Sequence, residues 1–313
     1  MRVKLAQQVI SSAPPRRARG LQSQRWLWTA FFLGPGLAYF AIFHWLPVLQ
    51  SLVYSTQRWT LLTARSGNRP FVGLLNYELV LQDEVFWQVA KNTLVYTFFT
   101  VGGTVLLGLL VSLALSELRP RLRDASRTII FLPVVVSLVG ASIIWKWLLD
   151  YSYGLVNLFL ALFGLAHIPW LTDTAWAMPA VIITNVWKNL GFAMVIFLAG
   201  LLQIPTTYYE AASVDGAGPW QRFWHVTLPL LRPTTLLVTV TQLIIAFQVF
   251  TPVYVMTAGG PGDATKVLVQ YIYEQGFEFY AMGKATAMSL LLMVAILVIS
   301  LVQLRLFGRA DIE

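Results

Sequence analysis

Asn185, Lys188, Asn189 and Phe192 recur at i, i+3, i+4 and i+7, which puts all four on one face of a helix with Trp187 beside them. They interrupt an otherwise apolar run, 175–201. Amide groups and an indole ring suit the hydroxyls and C–H faces of a sugar, and an ammonium suits an anion. A lysine at the centre of a membrane helix costs about 2.5–3.5 kcal/mol, and roughly ten apolar residues at about 0.3–0.6 kcal/mol each offset it only narrowly. Such a face does not turn to lipid. Either it lines a translocation cavity, or it packs between helices with Lys188 paired to a phosphate, a backbone carbonyl or a partner subunit. Gln248, in a later apolar run, is the other polar group that could reach a substrate or make an interhelical hydrogen bond.

The chemistry that is missing is equally informative. The chain has no Cys, which removes disulfides, thiolate catalysis and cysteine metal sites. Its three histidines, His44, His167 and His225, form no ligand-spaced pair. Gly283-Lys284 is followed by Ala285 and no glycine stands five residues earlier, so no phosphate-cradling loop is present and no ATP or magnesium site is expected in this chain. No Asp or Glu falls at membrane depth, since Glu117 and Asp150 stand at span edges. That speaks against a proton- or sodium-coupled carrier and against an intramembrane acid/base enzyme.

A second stretch, Glu210-Ala211-Ala212-Ser213-Val214-Asp215-Gly216-Ala217-Gly218-Pro219, lies between hydrophobic runs without reading as a loop. Thr207 and Glu210 stand at capping-box spacing, and Asp215-Gly216 should end the helix they start. Gly218-Pro219 opens another, with Pro219 where its missing N–H costs nothing. Trp220, Phe223, Trp224 and Thr227 then follow on one face, ahead of Leu228-Pro229. The reading is a short helix-turn-helix whose small residues, Ala211 and Ala212, let another surface approach closely.

These groups are carried by membrane helices. Hydrophobic residues make up 57% of the 313 and charged ones 12%, about half the charged share of a soluble protein. Six apolar runs are long enough to cross roughly 30 Å of hydrocarbon: 27–49, 92–116, 128–149, 175–201, 233–256 and 283–305. Gly34-Pro35-Gly36 and Pro47 predict a kink in the first. Residues 1–26 form a basic tail without a cleavable signal pattern, so the first run is expected to stay as a span. Arg119, Arg121, Arg123, Arg127, Arg222, Arg232, Arg305 and Arg309 fall on the same side as that tail, placing both termini and the Glu210 loop in the cytoplasm. Topology thus accounts for the net charge of +8 without nucleic acid.

The 205–231 loop resembles the EAA loop of the permease subunits of binding-protein-dependent ABC importers, in the sugar-permease branch that holds the maltose-type proteins. That family carries Glu-Ala-Ala, a glycine four residues on, and a hydrophobic-x-Leu-Pro ending. Here these are Glu210, Ala211, Ala212, Gly216, Val226, Leu228 and Pro229. Phe71-Val72-Gly73 and Asn76-Tyr77, Tyr153-Gly154 and Asn157, Pro169-Trp170-Leu171 and Gly259-Gly260-Pro261-Gly262 stand in the order of that family's outer loops, so the likeness runs over 27–305. It implies an all-α type I importer permease whose coupling helix meets an ATPase through Glu210, Ala211, Ala212, Asp215, Gly216, Phe223, Leu228 and Pro229. It also implies a second permease, two ATPase subunits holding ATP and magnesium, and an extracytoplasmic binding protein. Maltose-type relatives form a sugar site at mid-membrane from the spans flanking this loop, and Trp187, 23 residues ahead of Glu210, stands where a relative also has Trp. The substrate pathway is therefore assigned to Asn185, Trp187, Lys188, Asn189 and Gln248. Lys188 and Asn189 depart from that relative, which leaves a glycerol-phosphate-like ligand as the alternative to a di- or oligosaccharide.

Overall fold

The computed structural model describes residues 18–308. The tail ahead of Ala18 and residues 309–313 lie outside the described residues. The chain divides into two compact units at Val53/Tyr54.

The first unit is helical: α1 (Ala18–Phe40), a π-turn (Ala41–Trp45) and α2 (Leu46–Ser55). α1 begins within the expected tail and continues through Pro35 without a break in the helix. The irregularity lies later, where the Leu46 N–H reaches back to the Ala41 carbonyl. Pro47 offers no N–H to the Phe43 carbonyl and its ring crowds that oxygen, and a widened turn relieves both. Trp28–Ser55 is long and apolar enough to cross a membrane.

The second unit opens with two short helices, α3 (Leu61–Ser66) and α4 (Leu75–Leu81), and then the membrane-length α5 (Glu84–Ser116). α5 starts eight residues before the expected span, because Asp83 caps it by accepting from the Val85 N–H at 3.0 Å. Caps extend a helix beyond its apolar window.

The expected third span, 128–149, is two helices. α6 (Pro120–Val135) and α7 (Leu138–Leu148) meet at 97°. After α8 (Leu155–Leu162), α9 (Ala177–Gln203) forms the centre of the unit. α5 and α9 run parallel and close: a Cβ on Gly108 would lie 2.8 Å from the Ala193 Cβ, and one on Gly103 would lie 3.1 Å from Val186. Small residues permit such approach where no water drives helices together.

Beyond α9 lie α10 (Thr206–Val214), α11 (Pro219–Arg222), a π-turn (Phe223–Thr227), α12 (Leu228–Leu230) and α13 (Arg232–Phe247). The expected fifth span, 233–256, is also broken. α13 stops at Phe247 and α14 (Thr251–Met256) begins afresh, since Pro252 cannot donate to the Gln248 carbonyl. α15 (Leu268–Tyr273) and α16 (Met282–Gly308) complete the fold. Among the described residues four helices are long enough to span, or up to six if each of two bent pairs, α6 with α7 at 97° and Pro219–Leu230 with α13 at 64°, counts as one. The largest core gathers Tyr96, Val181, Phe247, Val253 and Met288 from α5, α9, α13, α14 and α16.

Candidate functional site

The chain reverses after α9 because Ile204 and Pro205 leave the helical region, and Pro205 then precedes α10. The Thr207–Glu210 capping box is absent: Pro205 occupies the cap position and no side chain caps α10. The other end follows the sequence reading. Gly216 takes φ +79°, the Gly216 N–H bonds the Ser213 carbonyl at 3.1 Å, and the Ala217 N–H reaches the Ala212 carbonyl at 2.8 Å. This pair of bonds is a Schellman closure, which needs a left-handed residue one place past the cap. The spacing from Ala212 to Gly216 is thus a backbone requirement.

Gly218 caps the next helix, its N–H donating to the Gln221 side chain at 2.9 Å, with Pro219 at the first helical position. Two contacts fix the angle between the helices. Tyr209 and Thr227 hydroxyls meet at 3.1 Å, and the Arg222 guanidinium donates to Ser213 Oγ at 3.2 Å. The bracing roles of Tyr209 and of Arg222, which its charge had placed on the cytoplasmic side, were hinted at only by their places beside Glu210 and Phe223. Because a π-turn follows Arg222, the aromatic residues do not share one surface: Trp220 is 72% exposed, Trp224 is exposed, Phe223 is half-buried and Thr227 is buried.

Glu210 and Ala211 are exposed on α10, and Glu210 forms no ion pair among the described residues. Ala212, Asp215 and Gly216 line a concavity of about 260 Å³ with Arg222 and His225 across from them. Leu228 and Pro229 are half-buried where the hairpin joins α13. Val214, 88% exposed, and Tyr208 add apolar surface to the same hairpin.

The α9 stripe is dispersed. Asn185 is 5% exposed, its Nδ2 buried without a partner among the described residues. Asn189, one turn on, donates to the Asn185 carbonyl at 3.0 Å. Lys188 Nζ donates to the Val134 carbonyl at 2.9 Å, in the last turn of α6. Trp187 packs edge-on against Trp145 of α7, ring centroids 5.5 Å apart. Gln248, exposed at the end of α13, borders a shallow concavity of about 190 Å³ with Ser289 and Met293, and no stripe residue lines it. The structure therefore joins Trp187 to α7 and Lys188 to α6, and leaves Gln248 apart from both.

The opposite end of the unit holds the chain's main ion pairs. Asp83 Oδ2 accepts from Lys284 and from the Tyr271 hydroxyl, each at 2.5 Å, tying the starts of α5, α15 and α16 together. Burial pushes the Asp83 carboxyl up, but the bonds from Lys284 and Tyr271 and the Lys284 charge outweigh it and hold it below its ordinary value. Lys266 bridges Asp263 at 2.8 Å and Glu274 at 3.0 Å.

Several membrane-length helices, with a braced hairpin between α9 and α13, define a multi-pass membrane fold. The chain belongs to the family described as binding-protein-dependent transport system inner membrane component, whose model matches residues 96–311. The sulfoquinovosyl glycerol transport system permease protein of Agrobacterium fabrum is 33% identical over 297 residues, covering 95% of this chain and 96% of its own. The lactose transport system permease protein of Rhizobium radiobacter is 37% identical over 275 residues, with 85% and 90% covered. A chain of the bacterial alginate ABC transporter, solved in complex with an alginate pentasaccharide-bound periplasmic protein, superposes with a TM-score of 0.80 at 28% identity, covering 94% and 98%. The fold is that of an ABC importer permease.

Proposed function

We propose that this chain forms half of the translocation pathway of an ATP-driven carbohydrate importer and receives the ATPase stroke through the Thr206–Leu230 hairpin. The observation that carries the reading is Glu210, exposed and without an ion pair among the described residues, on a short helix whose angle to the next is set by Gly216 and braced by Arg222 and Tyr209. A rigid hairpin with such a charge and exposed Val214 and Trp220 suits a protein partner. ATP and magnesium belong to that partner, whose closure would tilt α9 and α13 through the hairpin. A second permease and an extracytoplasmic binding protein complete the assembly, with both termini in the cytoplasm.

Carbohydrate is the favoured cargo because the relatives above are described as handling lactose, sulfoquinovosyl glycerol and alginate. The Trp145–Trp187 pair is the aromatic group best suited to a sugar face along α9. The glycerol-phosphate alternative drew on Lys188 as a group for an anion, and that ammonium gives one of its three N–H bonds to the Val134 carbonyl, which favours carbohydrate.

The test is co-purification of the detergent-solubilised chain with its partners, wild type against Glu210→Ala. Loss of the ATPase with the second permease retained is the expected result. If no ATPase accompanies even the wild type, the chain works as a stand-alone carrier and the coupling role fails.

A further inference from the structure

At the end of the second unit away from the hairpin, the last turn of α7, the segments flanking α8 and the end of α14 enclose a cavity of about 350 Å³. That lies in the range of roughly 300–1,000 Å³ typical of small-molecule sites. Leu149 and Met256, both buried, form an apolar floor. Trp147, Tyr153 and Trp170 supply aromatic walls, and Lys146, Asp150 and Thr172 a polar edge.

The frame is rigid. Asn157 is wholly buried and its amide donates to the carbonyls of Asp150, Tyr151 and Ile168 at 3.0–3.3 Å. Its Oδ1 accepts from the Ile168 N–H at 3.0 Å and from the Trp170 indole N–H at 3.1 Å, which fixes that ring. Asp150 Oδ1 accepts from the Ser152 and Tyr153 N–H groups at 2.8 and 3.2 Å, and Lys146 Nζ reaches the Val255 carbonyl of α14 at 3.2 Å. Trp147, by contrast, is 66% exposed. An interfacial belt would explain aromatic rings at the end of the membrane helices. It would not explain a carboxylate and an ammonium converging with them on one cavity.

Ring faces that stack on C–H groups, a carboxylate that accepts from hydroxyls and an ammonium that donates to them are the donor set for a pyranose. We propose that this cavity is a carbohydrate subsite at the mouth of the translocation path, holding sugar before it reaches Trp145 and Trp187. The placing on an import path rests on the importer reading above. Trp145 and Trp147 share α7, so one short helix carries an aromatic residue of each station.

Because the chain has no Cys, Thr172→Cys gives a single thiol at the cavity edge and Leu162→Cys one on exposed surface that does not line it. Maleimide labelling of each full-length variant in lipid nanodiscs is followed with lactose, trehalose or maltotriose at millimolar concentration. At least one sugar should slow labelling of T172C several-fold and leave L162C unchanged. Adding Trp147→Ala should raise the sugar concentration needed by about tenfold, and Trp147→Phe should largely restore it. No slowing by any of the three, or slowing that Trp147→Ala leaves untouched, overturns the subsite. If slowing fails while Glu210→Ala still abolishes uptake, the subsite alone falls. Uptake undisturbed by Glu210→Ala would instead sink the importer reading, and with it the placing of this subsite.

Discussion

Lys188 of α9 donates to the Val134 carbonyl of α6 across 2.9 Å and 54 residues of sequence. α6 ends one residue later, at the 97° bend, so the carbonyls of its last turn have no helical partner ahead. A cation at a helix C-terminus meets both the open carbonyls and the negative end of the dipole. Lys188→Met should therefore destabilise by about 1–3 kcal/mol, the worth of a hydrogen bond from a charged donor to a half-buried acceptor. Lys188→Arg, which keeps the charge, should recover much of it. Thermal unfolding in detergent measures both, and an unchanged midpoint for Lys188→Met would refute the capping role.

Gly216 offers a graded test of the hairpin. At φ +79° an alanine is strained by about 1–2 kcal/mol, an asparagine less, and a proline cannot adopt the angle or supply the N–H that bonds Ser213. Uptake should fall in the order Gly, Asn, Ala, Pro, with membrane insertion retained throughout. Uptake assays on cells with matched membrane levels of each variant would reveal any other order.

Gly216 and Pro219 were legible because a turn is written in adjacent residues: an αL angle calls for glycine and a first-turn proline opens a helix. The stripe on α9 was legible as a face, yet its fate was not. Asn185 is buried and Lys188 is spent on α6 because of how distant segments pack, and nothing local to 185–192 encodes that. The same holds for the bend after Val135, which apolar content alone reads as one continuous span. Pro252 did mark the end of α13 in the sequence, but an unbroken apolar run concealed it. Asn157 was legible only as part of an outer-loop motif and is the hub of a buried hydrogen-bond frame.

Asp83 should make the end of the unit that holds α15 sensitive to acid. Its folded-state acidity is held below the ordinary value of 3.8 by Lys284 and Tyr271 against the pull of burial. A depressed carboxylate contributes stability that is present above the unfolded value and lost as pH falls through the folded one. Melting temperature should therefore be insensitive to this group from neutral pH down to about 5 and decline below about 4. Asp83→Asn should lower stability at neutral pH and flatten that acid limb. An equally steep limb in the variant would assign the acid loss to other groups.

Gly191 and Gly102 make a matched pair in which the same substitution should be costly at one position and harmless or stabilising at the other. A Cβ on Gly191 would fall 2.6 Å from the Ile130 carbonyl oxygen and 2.8 Å from the Phe131 Cα. Both are backbone atoms of α6, so nothing flexible can yield, and α6 must move off α9. Gly191→Ala should cost about 1–3 kcal/mol and loosen the contact that brings Val134 to Lys188. A Cβ on Gly102 meets nothing within 4 Å. Gly102→Ala, within α5, should be neutral or stabilise by up to about 1 kcal/mol through helix propensity. Melting temperatures of the two variants in one detergent decide the matter. Equal effects would mean that the α6–α9 crossing is not held at Gly191.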